Sequence, residues 1–391
     1  MSRLNELIQQ YCPDGVEYKK IKEVYQRIKG TPITAGKMKE IQCPDGEIRI
    51  FAGGKTVIDA NEADIPNANI TRVPAVLVQS RGVIDAIYYD KPFTFKNEMW
   101  AYTHKEQTSV KFLYYVMKQN IQHFRDAAAG MGALPQISLG TTEDFSIPVP
   151  PLPVQEEIVR ILDNFAELQA ELQAELQKRL QQYNYYRDNL LSFEGRTDVE
   201  WKKLEDIAQV YDGVHQTPNY TTSGIPFISV ENIGNIYGSN KYISIQDFNS
   251  YKVKPQVGDL FMTRIGSIGI CAVFDKEADI AYYVSLALIR PNSDIISTRY
   301  LKHIIESRIG RRELSKRTIH TAVPIKINKN DIGKISLPIP PIEEQKRIAD
   351  ILDRFDTLTS DITAGLPAEI EARRKQYEFY RDQLLTFKQK A

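Results

Sequence analysis

The chain has 391 residues, with 50 Lys+Arg against 50 Asp+Glu, 42% hydrophobic and 26% charged residues. That length predicts at least two domains with sizeable cores, and the composition excludes a fibrous or largely disordered protein. With no net charge, a nucleic-acid partner has to be held by local basic patches rather than by a bulk field.

Cys12, Cys43 and Cys271 lie too far apart for a disulfide framework or a Cys-based zinc site, which fits a reducing cytoplasm. The longest apolar stretch, residues 280–289, is about half the ~20 residues of a membrane span, so no membrane association is expected. The five histidines, His104, His123, His215, His303 and His320, show no metal-ligand spacing, and no metal site is expected.

The first motif is Cys12-Pro13-Asp14-Gly15-Val16-Glu17-Tyr18-Lys19-Lys20-Ile21. Its Pro-Asp and Glu-Tyr-Lys letters mimic a metal-dependent nuclease, but the carboxylates sit too close in sequence for separate strands around an ion, and a turn followed by a strand explains them. From Lys19 to Lys39 the basic residues outnumber the single acid, Glu23. Gly53-Gly54-Lys55-Thr56 ends like a phosphate-binding loop, yet Arg49 stands where the first glycine has to be. Short β-type runs with glycine turns follow at residues 75–79, and again at 226–230 and 260–263, so each of these regions reads as a mixed α/β domain.

An internal repeat organises the whole. Residues 147–165 match 337–355 at nearly half of their positions, 182–193 match 376–387, and 16–21 match 199–204. Each repeat carries a Pro-Pro pair, Pro150-Pro151 or Pro340-Pro341, that should close a domain and launch a helix. From Gln155 the apolar residues recur every three or four positions, which predicts a rod of ~58 Å if 155–193 is fully helical. The second copy contains Gly365-Leu366-Pro367, a stop-and-restart signal. The expected segments are a first domain at 1–152, a long helix at 153–193, a second domain at 194–341, and a helical segment at 342–391 broken near 365–367.

Smaller echoes connect the two domains. Thr31-Pro32 answers Thr217-Pro218, and Ser80-Arg81 answers Thr263-Arg264 in a strand-then-turn setting. A common frame with dissimilar interiors suggests one scaffold presenting two readers. Residues 299–329 hold a second basic run, with only Glu306 and Glu313 opposing it. Arg81 and Arg264 are the candidate base readers, because Arg grips guanine O6 and N7 with two bonds, the alternative being a loop arginine paired to a local acid. The wider set of candidate DNA contacts comprises Thr31, Lys37, Lys55, Ser80, Arg81, Thr217, Thr263, Arg264, Ser267, Arg312, Lys316, Arg317, His320 and Lys326. Tyr183 and Tyr186 share a helix face while Tyr185 points ~200° from Tyr183; packing against the neighbouring domain is the first explanation, and the same layout at Tyr377, Phe379 and Tyr380 would offer two similar docking surfaces for another subunit.

Assembled in this order, the motifs resemble the specificity subunit of type I restriction-modification systems. The resemblance is carried by CPDGVEYKKI, by TRIGSIG at 263–269, by the blocks PPLPVQEEIVRILDNF and PPIEEQKRIADILDRF, and by GLPAEIEARRKQYEFYRDQLLTF. It implies an α+β fold with a pseudo-two-fold repeat: two target-recognition domains, each reading half of a split asymmetric site in double-stranded DNA, separated by two long helices forming an antiparallel coiled coil. It also implies two adenine-N6 methyltransferase subunits using S-adenosylmethionine, and two restriction subunits using ATP and Mg. The chain itself would carry no cofactor and no catalytic residue. In keeping with that, Val149 and Ile339 precede the Pro-Pro pairs where a methyltransferase loop needs Asn or Asp. A free-standing nuclease or methyltransferase and a purely structural coiled coil are the alternatives.

The first helix departs from the second by carrying Ala-Glu-Leu-Gln three times over residues 166–177 in place of a break. Deleting Ala170-Glu171-Leu172-Gln173 would shorten a continuous helix by ~6 Å and turn it by ~40°. DNA turns ~35° per base pair, so the half-site spacer should shrink by one base pair with both half-sites unchanged. Mapping methylated adenines reads this out, and an unchanged spacer would make the triplet exposed filler.

Overall fold

The computed structural model describes residues 2–54, 56–128, 134–360 and 365–390. The chain forms two compact units, residues 1–173 with 370–391 and residues 174–369. The fold is α+β, and the two units share one topology.

In the first unit a four-stranded antiparallel sheet runs in the order Gln26–Ile28, Trp100–Thr103, Ala75–Gln79, Asp85–Tyr89. A three-stranded sheet places Ile48–Phe51 between Val57–Ala60 and Phe93–Phe95, the last pairing being parallel. The second unit repeats both: Ala208–Asp212, Leu286–Pro291, Leu260–Thr263 and Cys271–Val273 in one sheet, with Ile225–Ile228 between Tyr242–Ile243 and Ala281–Tyr282 in the other. Ala75–Gln79 and Leu260–Thr263 are buried at every residue. That is why they read as continuous apolar runs instead of alternating ones.

The two repeated motifs at the domain ends pair with each other. Glu17–Lys20 forms a ribbon with Ser146–Val149, setting Tyr18 opposite Pro148, and Glu200–Lys203 does the same with Ser336–Ile339, setting Trp201 opposite Pro338. Proline is tolerated because a two-stranded ribbon consists of edges only. The nuclease-like letters are therefore turn and ribbon, with Glu17 spent on Lys19 at 2.6 Å. Gly15, at φ +101°, lets the C-terminal segment close over this ribbon; a Cβ there would stand 2.4 Å from the Lys388 carbonyl oxygen.

Leu152–Leu190 is one continuous helix, and Ile342–Ser360 and Leu366–Leu384 are two. Residues 361–364, between the latter two, lie outside the described residues. The first helix starts earlier than its periodicity suggests, because the Pro151 carbonyl already accepts from Val154 and Gln155 N–H; Pro341 serves Glu344 and Gln345 in the same way. The repeated glutamine fixes this start: Gln155 Nε2 donates to the Pro150 carbonyl at 2.7 Å and Gln345 Nε2 to that of Pro340 at 2.8 Å. Among the described residues, no helix is long and apolar enough to cross a membrane.

Each unit draws on both helical segments, and the same residues join them. In the first, Asp163 accepts from Lys111 at 2.8 Å and Tyr115 at 2.5 Å, and Phe165 lies 6.4 Å from Tyr377 and stacks on Tyr380 at 5.6 Å. In the second, Asp353 bonds Arg299 and His303, the latter at 2.6 Å, and Phe355 lies 6.2 Å from Tyr183 and stacks on Tyr186 at 5.6 Å.

Burial pushes the Asp353 carboxyl up, but hydrogen bonds from His303 and Arg299 outweigh it and hold the group below the ordinary carboxylate range. A depressed folded pKa gives stability that is complete at neutral pH and is lost as pH falls through that value. Asp353→Asn should therefore lower the melting temperature of the chain at pH 7. The difference from the parent should narrow below about pH 4, where the carboxyl of the unfolded chain takes up its proton before that of the folded one.

Candidate nucleic-acid interface

In both units the buried central strand runs into a turn set by a glycine of positive φ, Gly82 at +79° and Gly266 at +83°. The turn is pinned to a facing segment by two backbone bonds. Gly82 N–H donates to Pro135 at 2.8 Å and Ile137 N–H to Ser80 at 2.9 Å; Gly266 N–H donates to Ile325 at 2.8 Å and Ile327 N–H to Arg264 at 3.0 Å. Beneath the turn a second glycine permits close approach: a Cβ on Gly30 would lie 2.1 Å from the Phe95 carbonyl oxygen, and one on Gly213 2.5 Å from that of Tyr283.

These bonds and the strand pairings set the equivalences, and they correct two expectations. Thr31 stands where the second unit has Val214, so Thr31-Pro32 does not answer Thr217-Pro218. The pairing of Ser80-Arg81 with Thr263-Arg264 is out by one residue: Ser80 occupies the place of Arg264, and Arg81 that of Ile265. By the same register Gln79 corresponds to Thr263, Gln136 to Lys326, and Lys29 to Asp212. Aligning the turn glycines instead of the arginines would have shown this from the sequence.

Arg264 is consequently a covered side chain. Its side chain is 8% exposed and bonded to Asp212, whose side chain is 27% exposed, while its Nε has no partner among the described residues. Arg81 is exposed, and among the described residues it has no ion-pair partner. Three hydroxyls among the candidates are also buried and engaged. Thr31 bonds Thr94 at 2.6 Å and accepts from Asn69 N–H, Ser80 donates to the Glu98 carbonyl, and Thr263 accepts from Ile270 N–H at 3.0 Å. Thr217 is exposed and Ser267 half-buried, while Lys37 pairs with Glu40 at 2.8 Å. Lys55 lies outside the described residues.

The basic run at 299–329 separates into three sets. Arg299 and Lys302 face Asp350, Asp353 and Asp356; Lys316 and Arg317 both hold Glu313, at 2.5 and 2.9 Å. Arg308, Arg311, Arg312, Lys326 and Lys329 are exposed and have no acidic partner among the described residues. His320 Nε2 lies 3.1 Å from the Ser315 carbonyl oxygen. His303, Asp353 and Asp356 have ligand atoms within 4.8 Å of one another. Lys302 and Arg299 already neutralise these carboxylates, so the cluster is an ion-pair network.

In the first unit the ground beside Gln136 is a cleft of about 670 Å3 lined by Lys29, Asn69, Asn97, Glu98 and Trp100 among others. Of the helix aromatics, Tyr183, Tyr377 and Tyr380 pack on Phe355 or Phe165, and Tyr186 stacks on Phe355 while remaining 41% exposed. Tyr185 and Phe379 occupy equivalent positions and stay outside, 65% and 58% exposed.

The domain is duplicated, with a glycine turn at the same place in each copy, and comparison with known proteins places it in a family. The family described as "Type I restriction modification DNA specificity domain" matches residues 13–182 and 197–372, and the chain belongs to that family. It is 36% identical over 301 residues to the Escherichia coli type I restriction enzyme EcoR124I/EcoR124II specificity subunit, covering 72% of each. Two solved structures share the fold. The type I restriction-modification S subunit from M. genitalium has a TM-score of 0.63 at 14% identity, covering 95% of this chain and 96% of that one. A chain from a type I R-M system described for complex assembly and conformational transition has a TM-score of 0.53 at 16% identity, covering 95% and 98%. The chain is thus a DNA sequence-specificity subunit, a non-catalytic part of a restriction-modification complex.

Because Arg264 is covered and paired, its truncation should act on stability. Arg264→Ala strands Asp212 and should cost ~2–3 kcal/mol, seen as a lower denaturation midpoint. Loss of selectivity at one base position with unchanged stability would return Arg264 to base reading.

Proposed function

We propose that each unit reads one half of a bipartite, asymmetric double-stranded DNA site, and that the helical segments set the gap between halves and dock the methyltransferase subunits. One observation carries the reading: the two units have the same topology and turn but different side chains at the equivalent positions. Lys29, Ser80, Arg81 and Gln136 in the first are Asp212, Arg264, Ile265 and Lys326 in the second. A scaffold that keeps its backbone and changes its polar groups presents two different hydrogen-bonding patterns, which is what an asymmetric site requires.

The repeated helix surfaces support two copies of one partner. Tyr185 and Phe379, exposed at equivalent places, are the aromatic candidates for docking two adenine-N6 methyltransferase subunits, with S-adenosylmethionine bound by those partners. Two restriction subunits supplied with ATP and Mg complete the complex, which works in the cytoplasm. The unpaired cations Arg308, Arg311, Arg312 and Lys329 would supply phosphate contacts that hold the register.

Replacing residues 25–132 with the equivalent region of a relative should change one half-site and leave the other. Mapping methylated adenines in cells expressing the exchange with its methyltransferase partner reads this directly. A change in both halves would contradict independent reading.

A further inference from the structure

We propose that one cross-strand pair in each unit reads bases: Arg81 with Gln136 in the first, and Lys326 with Ile265 in the second. The inference rests on the reading that each unit recognises one half-site, and adds which residues do so and what chemistry each presents.

Arg81 and Gln136 form an isolated antiparallel bridge, as do Ile265 and Lys326. The backbone bonds flank these residues and do not join them to each other, since they run from Gly82 to Pro135 and Ile137 to Ser80, and likewise from Gly266 to Ile325 and Ile327 to Arg264. Each bridge is therefore a non-hydrogen-bonded pair, the kind whose side chains lie closest, with Cβ atoms ~4.5–5.5 Å apart on one face. One strand neighbour of each bridge residue points inward. Ser80 and Ile137 are 1% and 2% exposed, and Arg264 and Ile327 are 7% and 0%. Arg81, Gln136 and Lys326 are exposed and Ile265 half-exposed.

Each bridge thus presents a single cation, but on opposite strands. The first unit carries it on the turn and the second on the facing segment, where Ile265 leaves the turn side apolar. The arginine that the sequence places at the second turn is drawn below it by Asp212. Lys326 is also bridged to Ile319, on the side of its segment away from Ile265. Presented to the DNA major groove, the four side chains have distinct preferences. Arg81 suits guanine O6 and N7, and Gln136 suits adenine N6 and N7. Lys326 suits guanine, and Ile265 offers apolar contact to a thymine methyl.

The test uses the full chain with its methyltransferase partner and maps methylated adenines for each variant, with thermal melting as the folding control. Arg81→Ala and Gln136→Ala should each relax one specified position in one half-site. Lys326→Ala and Ile265→Ala should do so in the other, with discrimination falling about five- to hundred-fold. The double change Ile265→Arg with Lys326→Gln should alter the base preferred in the second half-site and leave the first intact. If truncating Arg81 lowers the melting temperature, Arg81→Met keeps the stem and gives the same readout.

Unchanged motifs for all of these variants, or weakening that is uniform across sequences, would overturn the inference. Exchange of residues 25–132 separates the two levels. If the exchange switches one half-site while the bridge variants change nothing, base reading by the bridges fails and half-site reading stands; if the exchange itself leaves the motif unchanged, half-site reading fails.

Discussion

A half-buried carboxylate at one place in the repeated helix holds each β-rich domain to its helical support: Asp163 between Lys111 and Tyr115, Asp353 between Arg299 and His303. Such a group is screened less than a surface charge, and its loss strands the cations that face it. Two residues further on, Phe165 and Phe355 each gather two tyrosines, adding apolar area beside the polar lock. Charge fixes the direction of the domain on its helix, and the rings supply burial. Once both are in place, the strand leading to Gly82 and the strand leading to Gly266 stand in equivalent positions in the two units, and a change of side chain at the turn leaves that frame in place.

The same arrangement explains how a chain without net charge can serve DNA. Many of its cations are committed internally. Arg264 goes to Asp212, Arg290 to Asp259, Arg299 and Lys302 to the aspartates of the helix Ile342–Ser360, and Lys316 and Arg317 to Glu313. The exposed cations without an acidic partner, among the described residues, include Arg81, Arg308, Arg311, Arg312 and Lys326. Local surplus on a neutral background favours contact at chosen places over indiscriminate binding along the duplex.

Much of the frame was legible in the sequence because it is written twice. The Pro-Pro pairs, the glutamine that caps them, the aspartate and the phenylalanine recur in order, so the helices and the domain ends could be placed by self-comparison. The turn at Gly82 and Gly266 was harder, because side chains there are what the two copies do not share. Matching Ser80-Arg81 to Thr263-Arg264 followed the letters, whereas the backbone follows the glycines, and a one-residue slip in a strand exchanges the inside for the outside. The burial of Arg264 depends on Asp212, some fifty residues earlier, a contact made only once Ala208–Asp212 and Leu260–Thr263 flank Leu286–Pro291. The sorting of the aromatics is likewise tertiary: helical spacing separates Tyr185 from Tyr183, but which face is covered depends on where Phe355 lies.

The central claim is that two equivalent frames with different side chains at the turn specify two unlike DNA sequences. Its most direct test is the genome-wide pattern of N6-methyladenine in a host that expresses this chain with its methyltransferase partner. The account predicts a bipartite motif, two short specified sequences that differ from one another and flank an unspecified gap of constant length. A single contiguous motif, or two halves that are inverted copies of one sequence, would contradict it.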